Sequence, residues 1–297
     1  MNTAKMKLLV TGANGQLGQE IKKVASTLKD VQFVFCSRAQ VDITDAKQLT
    51  DFVVQNEITA ILNCAAYTAV DTAESDTENA YQINVVGPKN IGEVAANLKL
   101  LVLHISTDFV FEGKHYLPYK EEDVTAPLGV YGRTKLQGEA ALLESLPTAT
   151  IIRTSWLYSA SGSNFLNTML RLGSERSELN VVFDQIGTPT YAGDLAAACV
   201  EIVQQQIKGN SHRGIFHYSN EGVASWYDFA SAIMRLSDKN CKVYPIEAVA
   251  YPTPAKRPAY SVLNKSKIKT AFELKIPHWE TSLKKCISFV EKQKKIN

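Results

Sequence analysis

The stretch LLVTGANGQLGQEI sets Gly12, Gly15 and Gly18 three residues apart, between a short apolar run and a segment with helical spacing. A strand that runs straight into a helix through such a turn is tightly constrained. Gly12 permits a sharp turn, Gly15 lets backbone approach a pyrophosphate, and Gly18 allows the helix to pack closely on the sheet. The helix N-terminus then offers unpaired N–H groups and partial positive charge to phosphate oxygens. The turn predicts the first βα unit of a dinucleotide-binding fold.

The rest of the chain supports that frame. Apolar runs at 7–12, 31–36, 60–66, 100–106 and 149–155 read as strands, separated by segments with apolar residues at helical spacing. Strands that are apolar throughout belong to a parallel sheet covered on both faces. The expected architecture is α/β: a Rossmann-type doubly wound parallel sheet with a smaller C-terminal α/β substrate lobe. The expected division is 1–154 plus about 178–208 for the dinucleotide-binding domain, and about 155–177 and 209–297 for the substrate lobe. SASGSN after position 158 reads as a flexible loop. Gly87-Pro88 predicts a kink or break in the long helix over 79–98, and a terminal helix is expected over 279–294.

Composition narrows the function classes. Lys plus Arg number 32 against 30 for Asp plus Glu, so no concentrated basic surface points to nucleic acid or a membrane. The five cysteines are scattered without a CxxC pair, which predicts neither a disulfide framework nor a zinc site. The N-terminal apolar run is too short for a signal peptide or membrane span. A cytoplasmic protein is expected.

About 20 residues beyond the glycine turn, where an acidic side chain would receive a ribose 2′-hydroxyl, stand Ser37 and Arg38. They suit a 2′-phosphate, which favours NADPH, with NADH also allowed. Asp42 and Ile43 are placed at the adenine end.

A second constellation lies further along. HISTDFVFEG ends a predicted strand with Thr107 and Asp108, and the following helix carries Tyr131 and Lys135 one turn apart on one face. Ligands of parallel sheets bind beyond the carboxyl ends of the strands. A hydroxyl, a phenol and an ammonium at that point suit carbonyl reduction. Tyr131 supplies the proton, Lys135 lowers its pKa and holds the nicotinamide ribose, and Thr107 orients the substrate oxygen. Gly132 is read as leaving room for the substrate.

Several longer motifs carry more information: GANGQLGQE, NCAAYTAVDTAESD, ISTDFVFEG, VYGRTKLQGE, IIRTSWLY, FDQIGTPT and YPTPAKRPAYSVLN. With them the chain resembles, nearly end to end, the dTDP-4-dehydrorhamnose reductases, an extended branch of the short-chain dehydrogenase/reductase superfamily. The resemblance implies reduction of a dTDP-linked 4-keto sugar to dTDP-L-rhamnose, by a monomer or homodimer. It assigns Thr107, Tyr131 and Lys135 to catalysis, and Thr107, Asp108 and Trp156 to the substrate. It gives Asn14, Gly15, Gln16, Leu17, Asp42, Ile43, Ala65, Ala66 and Tyr67 to the cofactor, and to Asn84 an anchoring role beside it. Arg257 in PAKRP is a candidate for the substrate diphosphate.

Two departures stand out. Phe109 replaces a tyrosine common in the family, leaving a ring for packing without its hydroxyl. Some relatives dimerise around a divalent cation such as Mg2+, and Glu20 fits one carboxylate position. Gly193 stands where another is expected, and the tail EKQKKIN offers only Glu291, so no metal is assigned. The readings that compete with a reductase are a nucleotide-sugar epimerase or dehydratase, and a non-catalytic regulatory subunit like the β-subunit of methionine adenosyltransferase.

Overall fold

The computed structural model describes residues 6–28 and 31–296, and side chains to residue 292. The first five residues of the N-terminal run, and the end of the first expected helix at Lys29, lie outside the described residues. The central sheet has six parallel strands: β1 (Met6–Thr11), β2 (Val31–Cys36), β3 (Ala60–Asn63), β4 (Leu101–Thr107), β5 (Thr150–Thr154) and β6 (Gly214–His217). Their order is β6-β5-β4-β3-β1-β2. The chain therefore reverses direction across the sheet at β1, and a crevice opens beyond the carboxyl ends of β1 and β3.

Alternation along each strand loads both faces. Leu8, Val10, Leu62 and Ile152 pack on one side with Leu17 and Ile21 of α1 (Gln16–Ala25). Leu9, Ile61 and Ile151 turn to the other side, against Leu49 of α2 (Ala46–Gln55), Ile91 of α3 (Gly87–Leu98) and Leu142 of α4 (Val130–Ser145). Successive side chains of a strand point to opposite faces, so an unbroken apolar run is what a doubly covered sheet requires. The long helix Ala192–Ile207, α5, joins the first face through Leu195, Cys199 and Ile202.

Two strands lie in different places from those expected. The strand Glu178–Val182, assigned above to the dinucleotide-binding domain, pairs in parallel with Lys242–Ile246 in a separate two-stranded sheet. Gly214–His217, assigned to the substrate lobe, is β6 and extends the main sheet along β5. Pairing decides sheet membership, and both partners are far away in sequence. The second lobe has its own core, in which Tyr158, Leu166, Phe229, Ile233, Trp279 and Leu283 are buried together. Its terminal helix runs from Trp279 to Ile296.

The expected break near Gly87-Pro88 takes a specific form. Thr77–Tyr81 is α-helical, Gln82–Val86 is one π-helical stretch, and α3 then begins with Pro88 in its first turn. Proline has no N–H to donate, so the carbonyl four residues earlier, on Asn84, loses its helical partner. That carbonyl lies so close to α4 that a Cβ on Gly138 would fall 1.9 Å from it. Such π-turns often re-aim side chains at functional sites.

Candidate active site

The crevice at the switch point opens into a cleft of about 970 Å³. Its first wall is the glycine turn. Gly12 has φ +64°, and a Cβ there would lie 2.7 Å from the backbone of Cys64 and Ala65. At Gly18 a Cβ would fall 2.6 Å from the Gly12 carbonyl. Both positions exclude a side chain, one by conformation and contact, the other by contact alone. Asn14, Gly15, Gln16, Leu17, Ser37 and Arg38 line this end, as do Asp42, Ile43, Ala65, Ala66 and Tyr67.

Arg38 is well exposed and its Nε donates to Asp42 Oδ2 at 3.1 Å. Asp42 also accepts from the Thr44 backbone and hydroxyl. Burial pushes its carboxyl up, and these bonds with Thr44 and Arg38 more than offset it, leaving its pKa below the usual value. Ser37 donates from its hydroxyl to Gln40 Oε1 at 2.9 Å.

Asn84 does not line the cleft. It is buried behind it, accepting from the Tyr67 backbone N–H at 2.9 Å and donating to the Tyr67 carbonyl at 3.1 Å. Its Nδ2 also reaches Thr134 Oγ1 of α4 at 3.2 Å. The π-turn thus ties the loop after β3 to the helix that carries Tyr131.

Thr107, Asp108, Tyr131 and Lys135 converge on the same cleft. No local side chain caps α4; the Glu74 carboxylate accepts from the Val130 N–H at 2.7 Å instead, which suits the positive end of a helix dipole. Gly132 serves packing and leaves no room for substrate: a Cβ there would sit 2.2 Å from the Phe109 carbonyl. Phe109 packs edge-on against Tyr131, with ring centroids 5.5 Å apart.

The protonation states follow from burial. Burial pushes the Tyr131 phenol up to about 12, with the Thr107 hydroxyl opposing the rise and Asp108 adding to it. Lys135 is pushed down to about 8 by burial, which outweighs the Glu139 and Cys64 side chains. Its Nζ donates to the Ile105 carbonyl at 2.7 Å and lies 3.2 Å from His104 Nε2. Burial thus dominates both groups, raising the phenol and lowering the ammonium. Asp108 is pushed up to about 6 by burial, partly offset by the Ser261 and Thr107 hydroxyls.

The far wall holds Trp156, with φ +45°, a strained backbone for a residue with a side chain. Its indole stacks on Trp226 with centroids 3.6 Å apart and planes 7° from parallel. Trp226 lies at the start of the helix Trp226–Leu236, and no local motif in the sequence marks it. The SASGSN loop is structured, and Gly162, Ser163 and Asn164 line the cleft. Asn164 Nδ2 and Ser159 Oγ both donate to Gln16 Oε1, at 2.8 and 3.1 Å, which links the second lobe to the glycine turn. Beneath the site, Arg153 and Glu139 form a buried ion pair at 2.7 Å, and Ser106 donates to the same carboxylate.

Arg257 is not among the cleft residues. Its guanidinium is paired with Asp71, through bonds of 3.1 and 2.8 Å to the two carboxylate oxygens. Among the described residues no cluster of three or more His, Cys, Asp or Glu side chains is placed to hold a metal ion. Glu20 is buried and accepts from Lys23 at 2.7 Å. No helix among the described residues is long and apolar enough to cross a membrane.

A family model described as the RmlD substrate binding domain matches residues 6–291. A dTDP-4-dehydrorhamnose reductase of Sinorhizobium fredii is 42% identical, over 95% of this chain and 97% of its own length. A solved dTDP-4-dehydrorhamnose reductase from Clostridium acetobutylicum superposes with a TM-score of 0.90 at 40% identity, covering 96% of this chain and 100% of its own. One from Bacillus anthracis, solved in complex with NADP, gives 0.89 at 36% identity, covering 97% and 100%.

Proposed function

The chain belongs to the RmlD substrate-binding-domain family, and from that premise we propose that it reduces the 4-keto group of dTDP-4-dehydro-L-rhamnose to give dTDP-L-rhamnose, with NADPH as cofactor. The observation that carries this reading is the meeting of Thr107, Tyr131 and Lys135 in the cleft whose other end is the glycine turn.

The residues present fit a dinucleotide. Gly12 and Gly18 leave bare backbone where a Cβ cannot be placed, and the N-terminus of α1 follows directly. Ser37 and Arg38 would receive the 2′-phosphate, and Asp42 and Ile43 would border the adenine end. When bound, NADPH supplies the hydride that reduces the substrate carbon. Tyr131, whose phenol stays protonated through the neutral range, donates its proton to the oxygen that gains charge. Thr107 directs its hydroxyl to the same oxygen and fixes the carbonyl plane. Lys135 holds the nicotinamide ribose and the Tyr131 hydroxyl in register. Trp156 forms an apolar wall suited to a deoxysugar, and Asp108 borders the sugar. Asn84 acts through the backbone of Tyr67. Arg257 would reach a diphosphate only by leaving Asp71. A cytoplasmic setting fits the free thiols of Cys36, Cys64, Cys199, Cys241 and Cys286.

The test is to mix dTDP-4-dehydro-L-rhamnose and NADPH with the protein and follow loss of nicotinamide absorbance. Turnover is expected, and its absence would sink the proposal. Tyr131→Phe should lower kcat by about 10² to 10⁴-fold, the usual contribution of a positioned proton donor. A variant as fast as the wild type would remove Tyr131 from that role.

A further inference from the structure

A chain of buried polar groups runs from β1 to Lys135 and fixes where its protons lie. Thr11 Oγ1 donates to Asn63 Oδ1 at 2.6 Å, and the Ala65 backbone N–H donates to the same atom at 3.1 Å. A peptide N–H can only donate, so the atom facing it is the amide oxygen, and the orientation of Asn63 is settled. Asn63 Nδ2 then faces His104 Nδ1 at 2.9 Å, and an amide nitrogen can only donate. His104 Nδ1 must therefore be the acceptor. His104 is completely buried, and burial, followed by the neighbouring Lys135 charge, holds it well below the usual histidine range, so the ring is neutral. A neutral ring with a bare Nδ1 carries its one proton on Nε2. That N–H lies 3.2 Å from Lys135 Nζ.

An ammonium has no lone pair to accept this proton, whereas an amine has one. The bond from Nζ to the Ile105 carbonyl is available to either form. We propose that His104, locked by Asn63 with its proton on Nε2, is a positioning residue that favours the amine form of Lys135 over the ammonium. The remaining groups around Nζ act in known directions. Cys64, beyond β3, and Glu139, one turn along α4, favour the ammonium. Glu139 is already paired with Arg153 of β5. Tyr131 on α4 and Asp108 beyond β4 border the same cleft. Burial favours the amine, and the N–H of His104 acts in the same direction. The consequence for turnover, which rests on the reduction proposed above, is that Lys135 gives up its proton close to neutrality. That proton goes from the Lys135 ammonium to the Tyr131 phenolate once the phenol has spent its own, which leaves the amine that the N–H of His104 favours, and solvent then reprotonates the amine.

The direct test is nitrogen NMR of the cofactor-free protein labelled in its five histidines, with His104 assigned through its backbone. The expected signature is a protonated Nε2 and a bare Nδ1 that do not titrate between about pH 5 and 9. A proton on Nδ1, or an imidazolium, would overturn the proposal. This readout needs no substrate, so it stands or falls separately from the proposed reaction. The kinetic test is His104→Gln, whose amide oxygen can turn to Nζ and accept from the ammonium. The alkaline limb of the kcat profile should then move up by about one pH unit, the size of one hydrogen bond exchanged for a repulsion. A folded variant with lower kcat and an unmoved limb would reduce His104 to a packing residue and overturn the proposal. If the variant does not fold, the wild-type tautomer decides.

Discussion

The two walls of the cleft are built by different rules. The nucleotide wall comes from consecutive residues of one βα turn, and what it demands is the absence of side chains at Gly12 and Gly18. The opposite wall demands side chains, and gathers them from afar: Trp156 after β5, Asn164 at the start of a helix, and Trp226 to back the indole. The first wall is a backbone surface that any dinucleotide phosphate can approach. The second is a stack of rings whose shape depends on each member. Between them lies a shared floor, where Arg153 of β5 grips Glu139 of α4 below Thr107 and Lys135. A change can therefore remove the floor, the cofactor wall or the substrate wall, and the three losses have different signatures.

The largest effect is expected at the floor. Arg153 and Glu139 are both almost fully buried, so losing one partner leaves an uncompensated charge in the interior. Arg153→Met should lower stability by about 3–5 kcal/mol and weaken both walls together, because α4 loses its hold on the sheet. The double variant Arg153→Met with Glu139→Leu should recover much of that loss, since a buried pair replaced by apolar groups is often nearly neutral. Chemical denaturation of the three proteins checks this. Equal destabilisation of the single and double variants would mean that the pair contributes shape, with no charge penalty.

A smaller effect, confined to one wall, is expected from Gly12→Ala. The left-handed conformation alone costs a residue with a Cβ about 1–2 kcal/mol, and the added carbon must also push back the backbone after β3. NADPH should bind at least about tenfold more weakly, while the Trp156 stack on the far side is untouched. Titration of the cofactor by fluorescence reads the first. The indole signal of the cofactor-free protein reads the second, and a change in it would show that the walls are not separable.

The same contrast explains what could be read from the sequence. The glycine turn, five of the six strands and the grouping of Thr107, Tyr131 and Lys135 were legible, because the turn and the strands rest on local spacing and the grouping on α4 being the next α-helix after β4. The strand Gly214–His217 was not, since four residues carry almost no periodic signal and its partner β5 is 64 residues away in register, Gly214 facing Thr150. Glu178–Val182 reads as a strand, but nothing local says that its partner is Lys242–Ile246. His104 looks like one polar residue in an apolar run, and only the fold sets it between Asn63 and Lys135. Trp226 opens an ordinary capped helix, with Ser225 and Asp228 forming the cap. Its role appears only when the Trp156 backbone turns to φ +45° and lays one ring on the other. The pairing of Arg257 was hidden for a related reason: its motif gives a position in a loop, and Asp71, which it meets, is 186 residues away.

Trp226→Ala should give the smallest and most selective effect. The Trp156–Trp226 stack is nearly parallel at van der Waals separation, and such pairs contribute about 0.5–1.5 kcal/mol beyond simple burial. Trp156 is already held in a strained backbone, so removing its backing plate frees the indole to leave the cleft surface. Gly187 limits that movement, because its backbone approaches the indole so closely that a Cβ would lie 2.5 Å from Cε2. The expected result is a rise in KM for the sugar nucleotide of about three- to tenfold, the factor that corresponds to this energy. The Kd for NADPH should not change, since Trp226 touches neither the glycine turn nor Ser37 and Arg38. Measuring both constants on one preparation separates the walls. A parallel loss in cofactor affinity would mean that the link from Gln16 to Ser159 and Asn164 couples them, and that the two walls move as one unit.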